Sequence, residues 1–277
     1  MNSPRISAVI ITRNRPEMLR RTINSLVRMT YPVSEVVVTD DSTNEDTVLM
    51  LKAEFPGSVH VFGPRTGIAT NRNNGIRTAT GDYILLLDDD IIVDPSFLES
   101  AFASSTDVSK TIFFAALREN ENIVLPNANG FLGFHTRPHI PETPWRNING
   151  QAVLASKSTF LEIPFDEAIS LYGYEEVEYA HRITANGYKI ELVPGCAHIH
   201  LDPKSSVSQK DNLDASRLYV TYKSLARTDH KKLKGLVFLG VAIPHHLMAM
   251  VRRRGLQGFP IALSNIRWAL KTIRDTA

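Results

Sequence analysis

The chain has 277 residues, of which 43% are hydrophobic and 22% charged, with a formal net charge of +2. This composition is typical of a soluble globular protein whose core needs no disulfides. Cys196 is the single cysteine, so an intrachain disulfide is excluded, and the apolar run Ile6–Ile11 is too short for a secretory signal. We therefore expect a cytoplasmic protein.

The first third of the chain alternates between apolar runs and amphipathic segments. The runs typical of strands are Ile6–Ile11, Glu35–Thr39, Ser58–Phe62 and Tyr83–Leu87. Between them, the segments that predict helices are Glu17–Met29, Asn44–Phe55 and Ile68–Ala79. Alternation of strand and helix predicts parallel strands joined by right-handed crossovers, that is, an α/β fold with a mostly parallel central sheet.

After Asp90 the alternation loosens. The pattern predicts a helix at Pro95–Ser105, a strand at Lys110–Leu117, an irregular loop at Asn127–Asn149, a helix at Glu175–Asn186 and a strand at Lys189–Val193. From Gln209 onward the chain reads as helical, with breaks near Asp229 and at Pro244, Gly255, Gly258 and Pro260.

Three consecutive aspartates, Asp88–Asp90, follow the apolar run Tyr83–Leu87 directly. Ligands of open parallel sheets bind beyond the carboxyl ends of the strands, and a divalent cation at this edge would cancel the repulsion between adjacent carboxylates. The alternative is an acidic, solvated turn. Asp40 and Asp41 end another strand, where a carboxylate can accept hydrogen bonds from a ribose or a base imide, or can form an Asx turn or helix cap.

Four segments, taken in order, carry a family resemblance. They read AVIITRNRPEMLRRTINSL, EVVVTDDSTN, GIATNRNNGIRTATGDYILLLDDD and GYEEVEYAHRITANGYKIELVPGCAHIH, and they span roughly residues 5–203. The chain resembles the family 2 glycosyltransferases, nucleotide-sugar-dependent enzymes of the GT-A fold. The resemblance implies a catalytic domain over residues 1–203, with a nucleotide-sugar-binding half at 1–94 and an acceptor-binding half at 95–203. Residues 204–277 then form a basic, helical C-terminal region.

The resemblance also implies roles for residues of the donor side. It assigns nucleotide binding to Thr12, Arg13 and Asp41, with Arg72 nearby. It places Asp88 and Asp89 near the ribose and gives Asp90, the last residue of a DxD motif, to the metal. The metal expected from the resemblance is Mn²⁺ or Mg²⁺.

The acceptor side is expected on the helix that starts at Glu175. Family members carry a Glu-Asp pair, a further acid and an arginine here, and the matching residues are Glu175, Glu176, Glu178 and Arg182, with Glu in place of Asp at two positions. The resemblance implies that Glu176, with Glu175 beside it, is the general base and that Glu178 contacts substrate. A helix-opening acidic turn that pairs with Arg182 is the alternative.

Two histidines, His198 and His200, follow the last predicted strand. The resemblance places His200 where some members have a third metal ligand. His198 can share its side of a strand because alternate residues face the same way, but for either histidine a structural role is the alternative.

The expected function is an inverting transfer of a sugar from a nucleoside diphosphate sugar, UDP- or dTDP-linked, to an acceptor hydroxyl. The acceptor is expected to be a glycan, a lipid-linked molecule or a small molecule. A metal-dependent nucleotidyltransferase is the first alternative, although no Gly-rich loop follows the first strand. The second is a non-catalytic sugar-nucleotide-binding protein at a membrane.

The C-terminal region is strongly basic. From Lys204 onward there are 14 Lys and Arg against 4 Asp, whereas residues 1–203 carry 17 against 25 acidic residues. The segment Leu236–Val251 is apolar but interrupted, and Arg252–Arg254 follow it. Such helices pack on a domain or a second copy, or lie on an anionic membrane surface. Nucleic acid is not expected as a partner.

Overall fold

The computed structural model describes residues 3–105, 107–171, 173–202 and 210–276. Eleven strands are found in this part of the chain: β1 Ile6–Thr12, β2 Glu35–Asp40, β3 Val59–Phe62, β4 Tyr83–Asp88, β5 Ile91–Ile92, β6 Thr111–Glu119, β7 Asn122–Val124, β8 Ala128–Asn129, β9 His135–Arg137, β10 Ala152–Ser156 and β11 Lys189–His200. The helices are α1 Pro16–Leu26, α2 Asp46–Glu54, α3 Ile68–Thr78, α4 Phe97–Ser104, α5 Lys157–Glu162, α6 Glu175–Ala185, α7 Lys210–Lys223, α8 Lys232–Arg254 and α9 Gly258–Asp275.

The main sheet has the strand order β3-β2-β1-β4-β10-β6-β11-β5, with β7 paired to β6. Strands β1 to β4 are mutually parallel, and β6 and β11 are parallel to each other. Strand β10 is antiparallel to both β4 and β6, so the two parallel groups point in the same direction. The carboxyl ends of β1, β2, β4, β6 and β11 therefore meet at one edge, which is where ligands bind in such sheets.

The central strands are apolar in nearly every position rather than in alternate ones. This is the pattern of a sheet that is covered on both faces. All seven residues of β1 and all five of β10 are buried. One face packs against α1, α2 and α4, and the other against α3, α5 and α6. The prediction of an α/β fold with a mostly parallel central sheet and flanking helices is confirmed.

The structure departs from the predicted elements in the second half of the chain. Strand β10 and helix α5 were not predicted, because the segment Ala152–Ser156 is short and lacks the alternation of an edge strand. The last strand was predicted to end at Val193, but β11 continues to His200 through an irregularity between Leu192 and Ala197. The expected domain boundary at 203/204 lies outside the described residues.

The three C-terminal helices pack against one another and against the start of α6. Phe238 and Ala242 of α8 join Tyr219 of α7 in a core that also contains Tyr174 and Val177. The predicted break at Gly255 is confirmed, since its φ is +61° and α8 ends there, but the predicted break at Pro244 is wrong. Helix α8 continues through this proline because its flanking turns are buried against α7 and α9.

Candidate active site

A cavity of about 670 Å³ opens at the carboxyl edge of the sheet. Of the predicted site residues, it is lined by Thr12, Arg13, Asp41, Asp88, Asp89, Asp90 and His200. These residues come from four strand ends and lie up to 188 positions apart in sequence (Thr12 to His200). The parallel arrangement of the strands brings them together.

The three aspartates of the acidic run have different surroundings. The Asp88 carboxylate accepts a hydrogen bond from Arg72 Nη2 at 3.0 Å and keeps about a quarter of its side chain exposed. Asp89 is buried and accepts hydrogen bonds from the Thr12 hydroxyl at 2.6 Å and from Nε and Nη2 of Arg15, while Arg15 Nη1 donates to Asp90 at 3.0 Å. Burial raises the pKa of Asp89, and these donors oppose that effect. Asp89 therefore acts within the protein, holding Arg15 at the edge of the cavity.

Asp90 lies beside His200, with 3.7 Å between Asp90 Oδ2 and His200 Nε2. The contact arises because the two-residue strand β5 follows the acidic run at once and pairs antiparallel with the end of β11. The Leu201 amide also donates to the Asp90 carbonyl at 2.9 Å, which fixes the register. Burial opposes ionisation of Asp90, but the neighbouring His200 and Arg15 side chains hold its pKa below the ordinary value.

Asp90 and His200 can hold a divalent cation only if further ligands complete its coordination shell. One carboxylate and one imidazole reach the same space, and Mg²⁺ or Mn²⁺ commonly takes one or two protein ligands together with water and substrate phosphates. Within the described ranges no group of three or more His, Cys, Asp or Glu side chains is arranged to hold a metal. The donor set therefore suits a shared cation rather than a closed structural site.

The cavity is also lined by Asp41 and two arginines. Asp41 is buried and accepts a hydrogen bond from the Arg65 amide at 2.8 Å. Burial raises the pKa of Asp41 above its ordinary value, and the Arg65 amide and the Arg13 guanidinium oppose this effect in part. Arg13 and Arg65 thus place positive charge on a wall that also holds an acceptor, which is a suitable environment for a nucleoside phosphate.

Helix α6 begins close to this cavity, and Arg72 links the two. Its guanidinium is almost fully buried and bridges Asp88 and Glu175, the latter at 3.2 Å. The resemblance places Arg72 near the nucleotide. In the structure the two carboxylates enclose its guanidinium, and Arg72 does not line the cavity. Glu175 is consequently held, whereas the described residues offer no ion-pair partner to Glu176 within 4.0 Å.

Glu176 packs against a glycine that leaves room for it. A Cβ on Gly150 would lie 2.6 Å from the Glu176 Cβ, so only glycine permits this approach. The preceding Tyr174 has a φ of +69°, an unusual conformation for a bulky residue, and its hydroxyl donates to the Gly133 carbonyl at 2.9 Å. Burial raises the pKa of Glu176, and burial together with the Glu176 charge raises that of Glu175 to about 7.

Two of the predicted residues lie away from the cavity. The Glu178 carboxylate is buried and binds Arg182 through two hydrogen bonds of 2.8 Å and Lys223 of α7 at 2.6 Å. This is the alternative that the sequence offered for the acidic turn, with a lysine from α7 added. His198 is fully buried; its Nδ1 accepts from the Asp94 amide at 3.1 Å, and burial lowers its pKa to about 4.

Sequence reasoning missed Arg15 and Arg65, which both line the cavity. Each stands three residues beyond a strand end, a position like that of Asp41, which directly follows β2. It also missed Glu119 at the end of β6, whose carboxylate lies 2.9 Å from His200 Nδ1. No sequence pattern connects Glu119 to the site, because its partner is 81 residues away.

Comparison with known proteins adds to this geometry. Residues 7–131 match the model of glycosyl transferase family 2. Over 239 residues the chain is 23% identical to the GalNAc(5)-diNAcBac-PP-undecaprenol beta-1,3-glucosyltransferase of Campylobacter jejuni, covering 83% of this chain and 76% of the relative. It is 26% identical over 230 residues to the O-antigen biosynthesis protein RfbC of Myxococcus xanthus. That match covers 73% of this chain but 18% of the relative, so the chain spans less than a fifth of its length.

Among solved structures, GalNAc-T7 with UDP, GalNAc and Mn²⁺ superposes with a TM-score of 0.68 at 16% identity. The match covers 99% of this chain and 57% of that protein, and at this identity it shows a shared fold. The architecture, the acidic strand end and these matches agree with one another: the chain has the GT-A fold, and its residues 7–131 belong to glycosyl transferase family 2.

Proposed function

We propose that this chain is an inverting glycosyltransferase that moves a sugar from a nucleoside diphosphate sugar to an acceptor hydroxyl. The observation that carries the proposal is the pairing of two neighbouring regions. One is a cavity with acidic and cationic walls, suited to a nucleoside diphosphate. The other is Glu176, a carboxylate of raised pKa without an ion-pair partner among the described residues. The UDP and Mn²⁺ in the structure of GalNAc-T7 support a donor of this class.

The donor would lie along the carboxyl edge of the sheet. Asp41 accepts hydrogen bonds from the base or ribose, and the exposed part of Asp88 accepts one from a ribose hydroxyl. Arg13 and Arg65 bind the diphosphate through charge-assisted hydrogen bonds. Asp90 and His200 would hold Mn²⁺ or Mg²⁺, which when bound supplies positive charge to the departing diphosphate. Arg15, held by Asp89, adds a fixed positive charge at the same wall.

The acceptor would approach from the side of α6. Its hydroxyl oxygen attacks the anomeric carbon opposite the diphosphate, and the bond between that carbon and the phosphate oxygen breaks. Glu176 removes the hydroxyl proton, a role that needs an ionised carboxylate of raised basicity. Glu175 and Arg72 do not exchange protons with substrate; Arg72 balances the charges of Asp88 and Glu175 and fixes the distance between donor and acceptor sides.

A donor screen tests this function. The chain is incubated with Mn²⁺ and a panel of UDP-, dTDP- and GDP-linked sugars, and release of nucleoside diphosphate is measured. We expect one nucleotide class to be turned over, even if slowly with water as acceptor. Binding of a nucleotide sugar without any turnover, also with glycan and lipid-linked acceptors present, would favour the non-catalytic alternative. Formation of a nucleoside triphosphate and a sugar 1-phosphate when pyrophosphate is added to the nucleotide sugar would favour a nucleotidyltransferase.

We also propose that the C-terminal helices rest on the cytoplasmic face of an anionic membrane. By length and composition Lys232–Asp275 is apolar enough to cross a membrane, but it turns at Gly255 into two helices that pack together. One face of α8 exposes Leu233, Leu236, Val237, Val241 and Met248. Residues 230–274 contain nine Lys and Arg and no Asp or Glu. An apolar stripe with cations at both ends fits an interfacial helix.

Sedimentation with vesicles tests this surface. We expect binding to phosphatidylglycerol-containing vesicles at low salt, weaker binding at high salt, and little binding to phosphatidylcholine alone. Leu236→Glu with Val237→Glu should abolish it. Val27→Glu is the matched control, because Val27 is 82% exposed but belongs to the region of α1. Undiminished binding of the double variant, or a stable dimer that this variant dissociates, would contradict membrane contact through α8.

A further inference from the structure

Glu119 and His200 form a pair at the rim of the cavity. They end the neighbouring parallel strands β6 and β11, where Ile199 is opposite Arg118 in the register. Glu119 Oε1 lies 2.9 Å from His200 Nδ1, while His200 Nε2 faces Asp90 Oδ2 at 3.7 Å. The imidazole is therefore enclosed between two carboxylates, with one nitrogen directed at each, and only 12% of its side chain is exposed.

We propose that Glu119 is a positioning residue that orients His200 for the divalent cation. The inference rests on the proposed function, in which Asp90 and His200 hold that cation. Glu119 itself stays outside the ligand set, because its carboxylate meets the imidazole nitrogen that points away from Asp90. Its role is to accept the Nδ1 proton, so that the Nε2 lone pair is directed at the space beside Asp90.

The physical reason lies in the two-sided chemistry of imidazole. A histidine that binds a cation through Nε2 keeps its single ring proton on Nδ1, and the hydrogen bond made by that proton fixes the orientation of the ring. Without an acceptor at Nδ1 the ring rotates about its side-chain bonds, and both protonation patterns compete. Carboxylate partners of metal-binding histidines typically contribute 10–100-fold in metal affinity. The strand pairing of β5 with β11 fixes the backbone of His200 but leaves its ring free, so the side-chain acceptor is needed.

A merely structural pair would behave differently. Glu119 stands at the turn between β6 and β7, where a surface carboxylate could stabilise the hairpin without any effect on a cation. Such a role predicts a small loss of thermal stability and no change in metal affinity. The two cases are separated by asking whether the effect of Glu119 requires His200.

The test measures Mn²⁺ binding to the full chain in the presence of UDP, from the EPR signal of the free ion. Glu119→Ala should raise the Kd for Mn²⁺ by about 10–100-fold. Glu119→Gln should lose less, because its amide oxygen still accepts the Nδ1 proton. The control Glu121→Ala, an exposed residue two positions further on, should bind like the unmodified chain. Thermal unfolding of each variant verifies that it is folded.

A double-mutant cycle then decides between the roles. If Glu119 acts through His200, Glu119→Ala should have no further effect in a His200→Ala background, so the two changes are strongly non-additive. If His200→Ala binds Mn²⁺ more weakly but Glu119→Ala binds it like the unmodified chain, the positioning role is wrong and the metal assignment stands. An equal loss in both backgrounds would overturn the positioning role as well. Unchanged affinity in His200→Ala would instead show that the metal assignment of the proposed function is wrong.

Discussion

Replacement of Asp90 by alanine is expected to reduce turnover by at least ~10²–10³-fold, the range seen when one group that stabilises developing charge is removed. The fold should survive, since Arg15 remains bound to Asp89 and the strand contact at this position uses the Asp90 backbone carbonyl. The same variant should lose the enhancement of nucleotide binding by Mn²⁺. Turnover and nucleotide affinity, each measured with and without Mn²⁺, provide the two readouts.

The histidines supply the comparison for Asp90. His200→Ala should weaken the dependence on Mn²⁺ more than His198→Ala does, because His198 is enclosed in the core beside Phe97 and contacts the Asp94 amide. We expect His198→Ala to lower thermal stability with little change in the metal concentration needed for half-maximal turnover. The reverse order would transfer the ligand assignment to His198. Full activity of the unmodified chain in excess EDTA would remove the metal from the mechanism.

Replacement of Glu176 by glutamine should lower turnover by ~10²–10⁴-fold, the usual contribution of a general base. Glutamine keeps the size and hydrogen bonding of the side chain but does not accept the acceptor's proton. Donor affinity should stay nearly unchanged, since the proposed donor site is on the other side of the Arg72 bridge. Single-turnover rates and donor binding, measured on the same preparation, separate the two effects.

Glu175→Gln is the matched control for the base. Glu175 and Glu176 are one residue apart on α6 and so diverge by about 100°. Arg72 holds Glu175, so its replacement should disturb the Arg72 bridge and affect donor affinity as well as rate. A dead Glu175→Gln enzyme beside an active Glu176→Gln enzyme would move the base by one residue.

The pH profile gives an independent check on the base. Burial raises the pKa of Glu176 above its ordinary value of 4.5, and only the ionised form removes a proton. Turnover should therefore fall as the pH drops through that raised pKa, and the acidic limb should lie above pH 4.5. An acidic limb that is unchanged in Glu176→Gln would mean that another group is responsible for it.

The amino-acid sequence alone predicts the first half of the sheet and the acidic residues at its carboxyl edge. Strands β1, β2 and β4 and the helices between them are encoded by local apolar runs and periodicity, which do not depend on distant residues. Parallel strands place their carboxyl ends together, so the strand pattern alone assigns Asp41 and the run Asp88–Asp90 to one edge. The family resemblance predicts the role of general base for Glu176, at the start of α6.

The pairing of these groups depends on contacts between residues that are far apart in the sequence. The contact between Asp90 and His200 depends on the pairing of β5 with β11, and two residues are too short to show a strand pattern. Lys223 of α7 draws Glu178 into an ion-pair network, although the sequence places Glu178 with the other acids of the helix. Arg72 is enclosed between two carboxylates that the chain brings from 16 and 103 positions away.

Helix α8, which continues through Pro244, also shows that local sequence rules do not predict every element. A proline in a helix interior costs about 3 kcal/mol, so local rules predict a break there. The neighbouring turns bury Phe238, Ala242 and His246 against α7 and α9, and this packing outweighs the local cost. Local sequence thus predicts a helix or strand correctly where the residues of that element have the expected hydrophobic pattern. Long-range burial and charge pairing, which no local pattern encodes, decided which side chains meet in the site.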